Sequence, residues 1–187
     1  MEKFIERIWL EYPIPKEFSI WGGDGINTLP MKDLDKLIEM SVEDVATDIV
    51  IRGDKRALGM QTKLPDDTIT VMYANMDFMF QGNRQVKVSF DSSTHIALLR
   101  YFPATIVYQR KMHLEDVPSL QGDRLIYFRS YVLWKMATTE LSLLKTMSMN
   151  LDNATIDLQV LSDFADATKE KVDTLRDSIL IYSPTNG

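Results

Sequence analysis

The chain opens on a helical period. Phe4, Ile5, Ile8, Trp9 and Tyr12 recur at three- and four-residue spacings, one face of a short helix, and Pro13 and Pro15 end it. A turn-rich loop follows, Trp21-Gly22-Gly23-Asp24-Gly25-Ile26-Asn27. Leu29-Pro30 leads into a second helical pattern with Leu34, Leu37 and Ile38. Ser41 followed by Asp44 has the form of a capping box and predicts a third helix with Val42, Val45 and Ile49 inward. That helix is expected to end near Arg52-Gly53-Asp54, with Gly59 closing the segment.

The middle of the chain changes period. Thr68 to Tyr73 alternates and is rich in β-branched residues, Gly82-Asn83 is a turn signal, and Gln85 to Phe90 places Val86, Val88 and Phe90 on one side. A hairpin-like region is predicted there. Ile96 to Phe102 fits a short helix or a strand. Ala104 to Met112 reads as a strand, with Thr105, Val107 and Gln109 on one side and Ile106, Tyr108 and Arg110 on the other.

The last part is helical again. Gln121 to Met147 has no Pro and no internal Gly after Gly122. Leu125, Phe128, Val132, Met136 and Leu143 trace one stripe, and Tyr131, Trp134, Leu141 and Leu144 widen it, so contact on more than one side is expected. Asn150 to Ala154 is a polar turn and Asp157 a candidate N-cap. The final helix turns Leu158, Leu161, Phe164, Ala165, Thr168, Val172, Leu175, Ile179 and Tyr182 inward, with Asp163, Asp166, Lys169, Glu170, Asp173 and Arg176 outward. The expected architecture is α+β: N-terminal helices packing with a small antiparallel sheet, then a long C-terminal antiparallel helical hairpin. Residues 1–187 read as a single domain, with 1–112 as helices plus sheet and 113–187 as the hairpin.

Composition narrows the function. Of 187 residues 45% are hydrophobic and 26% charged, as in a packed globular chain, and there is no cysteine. That removes disulfide scaffolds, zinc ribbons, iron–sulfur clusters and thiol catalysis. The net charge is −6. Split at Met112, neither part is basic, which argues against a phosphate-backbone binder and for no specific nucleic-acid binding. The first residues lack the apolar run of a secretory signal, no stretch approaches the ~20 residues of a membrane span, and the tail carries no lipidation signal. A soluble protein made in a cytoplasm is expected.

The candidate chemistries thin out on inspection. Gly53-Asp54-Lys55-Arg56-Ala57-Leu58-Gly59 has glycines and cations, but not the spacing or the Lys-Ser/Thr of a phosphate-binding loop. Gly22 to Asn27 offers only Asp24 and Asn27 as oxygen ligands, too few for a calcium loop. Arg52-Gly53-Asp54 matches an adhesion tripeptide and reads as a helix end. His95 and His113 are the only histidines; neither has an acid or histidine at metal spacing beyond Glu115-Asp116 near His113, and Ser92-Ser93 close to His95 read as a turn or N-cap. Asp66-Asp67 and Glu115-Asp116 are adjacent loop acids, ordinarily just solvated. The 11 methionines, Met72, Met76 and Met79 among them, suit either an irregular core or an adaptable partner surface. No catalytic, cofactor or metal residue, no cofactor and no small-molecule substrate are assigned.

The stretch Tyr101-Phe102-Pro103-Ala104-Thr105-Ile106-Val107-Tyr108-Gln109-Arg110-Lys111, then Leu120-Gln121-Gly122-Asp123, Tyr127-Phe128 and the two closing helices, about residues 100–182, resembles small structural proteins of tailed bacteriophages, the neck and head–tail connector class. The resemblance implies a non-enzymatic virion component in a ring with other copies of itself and neighbouring virion proteins. For such contacts the residues alone suggest Trp21 with the 22–27 loop, and Phe128, Tyr131, Trp134, Met136 and Met147 on the wide helical stripe. An acidic inner face would let DNA pass without sticking. A cytoplasmic helical adaptor with one partner is the alternative, and an enzyme built on His95 or His113 with nearby acids is a third class.

Overall fold

The structure is a computed structural model describing residues 1–21, 33–76, 84–147 and 158–181. Two compact units make up the chain: Met1–Asp48 together with His113–Gly187, and Ile49–Met112 inserted between them. The α+β class is as expected. The N-terminal helices, however, group with the C-terminal hairpin in one unit and not, as expected, with the sheet.

The helical unit contains α1 (Glu2–Glu11), α2 (Leu34–Val45), α3 (Gly122–Met147) and α4 (Leu158–Ile181). α3 and α4 form the hairpin, and α1 and α2 pack on α3. Phe4 of α1 stacks on Phe128 of α3 with ring centroids 5.4 Å apart. Between Tyr127 and Glu140 no residue of α3 is exposed. A helix contacted from several sides must be apolar around most of its circumference, which is what the broad stripe encodes. α4 is one-sided: Leu161, Ala165, Thr168, Val172 and Ile179 are buried, and Asp163, Asp166, Glu170, Asp173 and Asp177 are exposed.

The second and third predicted helices are one helix, α2. Asp33 caps it, accepting from Asp35 N–H at 3.1 Å. Ser41 lies inside it, and its hydroxyl donates to the Leu37 carbonyl at 2.8 Å, satisfying in the helix interior the group that had read as a cap. α2 stops at Val45, and Val50 begins a strand. Arg52-Gly53-Asp54 is therefore mid-strand, not a helix end.

The inserted unit is all β: β1 (Val50–Ala57), β2 (Gln61–Lys63), β3 (Thr68–Met76), β4 (Arg84–Val86), β5 (Val88–Asp91), β6 (Ile96–Leu99) and β7 (Ala104–Lys111). One sheet has the order β1-β7-β3-β4 and the other β2-β6-β5, with every pairing antiparallel. Ile96–Leu99 is thus a strand. Gln85–Phe90 is divided at Lys87 between the two sheets. The strands share a core of Ala57, Leu64, Ala74, Ala97, Leu99, Ala104, Ile106 and Tyr108. Ile106, Val107 and Tyr108 are all buried, so β7 is covered on both faces, not one. Gly53 lies opposite Tyr108 across the β1–β7 ladder, and a Cβ there would meet the tyrosine ring at 2.6 Å. The Gly82-Asn83 turn, the Asn150–Ala154 turn and Asp157 lie outside the described residues.

Candidate functional site

The most buried charged group is Glu140. It sits on α3 four residues beyond Met136, in line with Phe128 and Val132, and none of it is exposed. The Tyr12 hydroxyl donates to Oε2, the Ser19 hydroxyl donates to the same oxygen at 3.1 Å, and the Ile20 N–H donates to Oε1 at 3.3 Å. The three donors come from the segment after α1, so one carboxylate ties Tyr12–Ile20 to the middle of α3. Burial pushes the Glu140 carboxyl above the usual glutamate range, opposing the lowering effect of its three hydrogen bonds. Burial and the adjacent carboxylate push the Tyr12 hydroxyl up, so it stays a donor. Phe164 of α4 meets the Tyr12 ring edge-on at 6.0 Å. The arrangement is a fastening, with donors already committed to their acceptor.

A second polar group lies where α2 ends against α3 and α4. Asp48 accepts from the Tyr127 hydroxyl at 2.7 Å and pairs with Arg176 at 3.2 Å. Asp44 accepts from the Tyr131 hydroxyl at 3.0 Å and pairs with Lys135. Burial first, and the aspartate bonds second, push both tyrosine hydroxyls up. Trp134 packs against Tyr131 edge-on at 5.5 Å.

The histidines have structural partners. His95, at φ 54°, turns β5 into β6 with Nδ1 3.0 Å from the Ser92 carbonyl oxygen and Nε2 2.7 Å from that of Asp66. Both nitrogens are engaged by backbone, and Phe90 stacks on the ring. His113 forms a reciprocal cap with Asp116 at the start of the 3-10 turn Leu114–Ser119. Among the described residues no group of three or more His, Asp or Glu side chains stands where it could hold a metal ion. No described helix is long and apolar enough to cross a membrane.

The residues singled out for contacts divide. Phe128 and Met136 are 0% exposed, so the single chain already uses them as core, which removes them as a surface for a neighbour. Trp21 is also buried, at 3% exposed, and its indole N–H has no acceptor among the described residues. It therefore does not stand out as a docking anchor; the 22–27 loop lies outside the described residues. Tyr131 and Trp134 are half-buried beside Asp44. Met147 is the last residue of α3. The structure thus brings together Tyr131 and Trp134, and places Phe128 against α1.

Several exposed apolar side chains lie at one end of the β unit, besides others on the helical unit such as Leu10. Leu58 is 72% exposed and Met60 64%, both in the β1–β2 turn. The β ladder brings that turn to the β6–β7 loop: Gln61 pairs with Leu98, the Leu99 N–H donates to the Met60 carbonyl at 2.9 Å, and Ala57 pairs with Ala104. Leu98, Tyr101 and Phe102, each about half exposed, complete the patch. Arg100 lies over the Tyr101 ring at 5.7 Å, and Arg56 precedes the turn. Nothing in the hydropathy pattern marked these positions, because they are scattered singly along the chain and only strand pairing collects them.

Charge follows the same division. Ile49–Met112 carries nine Lys/Arg and five Asp/Glu, a net +4, while the rest of the chain carries 12 against 22, a net −10. A split at Met112 hides this, because it adds the acidic N-terminal helices to the basic insertion. No protein-family model matches the chain, and no curated protein matches it in sequence.

Proposed function

We propose that this chain is a non-enzymatic structural subunit of a tailed-phage particle, built into the neck or head–tail connector and acting by protein–protein assembly. The observation that carries the reading is the apolar end of the β unit. Leu58, Met60, Leu98, Tyr101 and Phe102 are exposed on segments that strand pairing brings to the same end of the unit, and grouped exposed apolar residues are of the kind that marks a protein contact. The resemblance of residues 100–182 to connector proteins supports the particular assembly, since that stretch spans β7 and both hairpin helices. The structural roles of His95, His113 and Glu140 fit a subunit whose polar groups hold the fold together. In the particle the partners are other copies and neighbouring virion proteins, and the chain takes no cofactor.

Immunogold labelling of purified particles tests this. Gold at the single vertex where head meets tail is the expected result. Particles complete in head and tail yet devoid of the chain would overturn it and move the adaptor reading ahead.

A further inference from the structure

Leu10 of α1 is 85% exposed, the most exposed large apolar side chain among the described residues. At 3.6 residues per turn it lies about 160° round the helix from the buried Ile8. Lys3 stands about 20° from Leu10 on the same wheel and about 10 Å back along the axis. At that end of α1, the helix and the segment from Val117 to Leu125 border an open groove of about 330 Å³. Phe4, Val117, Leu120 and Leu125 give it apolar walls, and Lys3 and Arg7 also line it. All of these residues belong to the helical unit. Between the groove and Leu10, Glu6 and Arg7 are both exposed, and neither forms an ion pair with a described residue. One helix thus carries an apolar groove at its start, opposite charges at its middle and an uncovered leucine near its end.

We propose that α1 pairs antiparallel with the α1 of a second copy of this chain, each Leu10 entering the other copy's groove. A twofold axis passing between Glu6 and Arg7 produces the match. It sets Glu6 of each copy against the other's Arg7, and Leu10 of each against the other's Lys3, where the groove lies. Two ion pairs form by symmetry, and two leucines leave water. An in-register parallel alignment would oppose Glu6 to Glu6 and Arg7 to Arg7 and leave both grooves open, so charge and shape select the same orientation. The contact is isologous and closes at two copies, so it joins chains in pairs and does not by itself propagate a ring. One short helix per copy is at the small end of specific interfaces, and a Kd on the order of 10–100 μM is expected. The pairing goes beyond the assembly reading above and makes no use of the apolar end of the β unit.

Sedimentation equilibrium of the full chain, over a concentration series reaching about ten times that Kd, reads the contact. The wild type is expected to rise from monomer toward dimer mass. Leu10→Lys, Glu6→Lys and Arg7→Glu are each expected to weaken association at least ~10-fold, since each puts an unmatched or like charge into the contact. An equal mixture of Glu6→Lys and Arg7→Glu chains restores the dimer, because Lys at 6 of one chain meets Glu at 7 of the other while the native Arg7 and Glu6 still pair. Glu6→Lys with Arg7→Glu in one chain restores it too. Both recoveries separate a lost contact from a lost fold. A wild type that stays monomeric throughout, association untouched by the three single substitutions, or a mixture that remains monomeric would each overturn the proposal. The virion reading fails separately: a monomer found at the particle vertex sinks only this contact, and a dimer never found on particles sinks only that reading.

Discussion

Tyr12 donates its phenolic hydrogen to Glu140, 128 positions further along the chain, inside the helical unit. The bond fixes the chain after α1 against α3. Tyr12→Phe removes one donor from a buried carboxylate and is expected to cost about 1.5–3 kcal/mol, because a hydrogen bond to a charged group is lost. Urea unfolding followed by tryptophan fluorescence checks this, since Trp9, Trp21 and Trp134 all belong to the helical unit. A loss below about 0.5 kcal/mol, the range of ordinary surface substitutions, contradicts the fastening role.

The same carboxyl gives a signed pH dependence. Folding raises its pKa above the ordinary 4.5, so between that value and the folded one the native chain binds more protons than the unfolded chain. Stability from this group is therefore full below about pH 4.5 and falls as pH rises through the folded value, beyond which it levels off. Glu140→Gln keeps an acceptor for Ile20 N–H and does not titrate. The difference between wild-type and variant unfolding free energies should slope with pH in that window, the wild type losing ground as pH rises. Parallel curves would contradict the assignment.

Gly53 is required by the ring that covers it. Gly53→Ala places a methyl group against the Tyr108 ring and is expected to destabilise the β unit by about 1–3 kcal/mol, the usual cost of overpacking. Amide hydrogen exchange along β1 and β7 reads the effect. Tyr108→Leu in the same chain opens the space, so the alanine should cost less there; an equal cost in both backgrounds would place the strain elsewhere.

On α4 the two ends of the exposure scale predict different outcomes. Leu161 is 0% exposed, and Leu161→Ala should cost about 2–5 kcal/mol. Leu158, at 37%, should change stability by no more than about 0.5 kcal/mol when replaced by Ala. Thermal unfolding at 222 nm distinguishes them, and equal effects would contradict the orientation of the helix.

α1, α3, α4 and β7 were legible because each carries a sustained period: Phe4 and Ile8, Phe128 to Met136, and Leu161 to Val172 recur as buried faces. β1 was not, since its apolar residues are Val50, Ile51 and Ala57 around the charged run Arg52–Arg56, and its place comes from pairing with β7. Ser41 misled because a serine hydroxyl serves as well inside a helix, bonding four residues back, as at its start. Glu140 had a local signal, a charge on the 128-132-136 line, but its donors lie more than a hundred residues away. The apolar end of the β unit had none, because a turn and a loop far apart in sequence are brought together by strand pairing such as Gln61–Leu98 and Ala57–Ala104.

The proposed place of the chain in a phage particle is tested by sedimentation of the source lysate through a density gradient, probed for this chain. Co-migration with a fast, DNA-containing particle that survives a high-salt wash is the predicted result. Recovery of the chain only in the slow fractions, with particles sedimenting normally and free of it, would contradict a place in the particle.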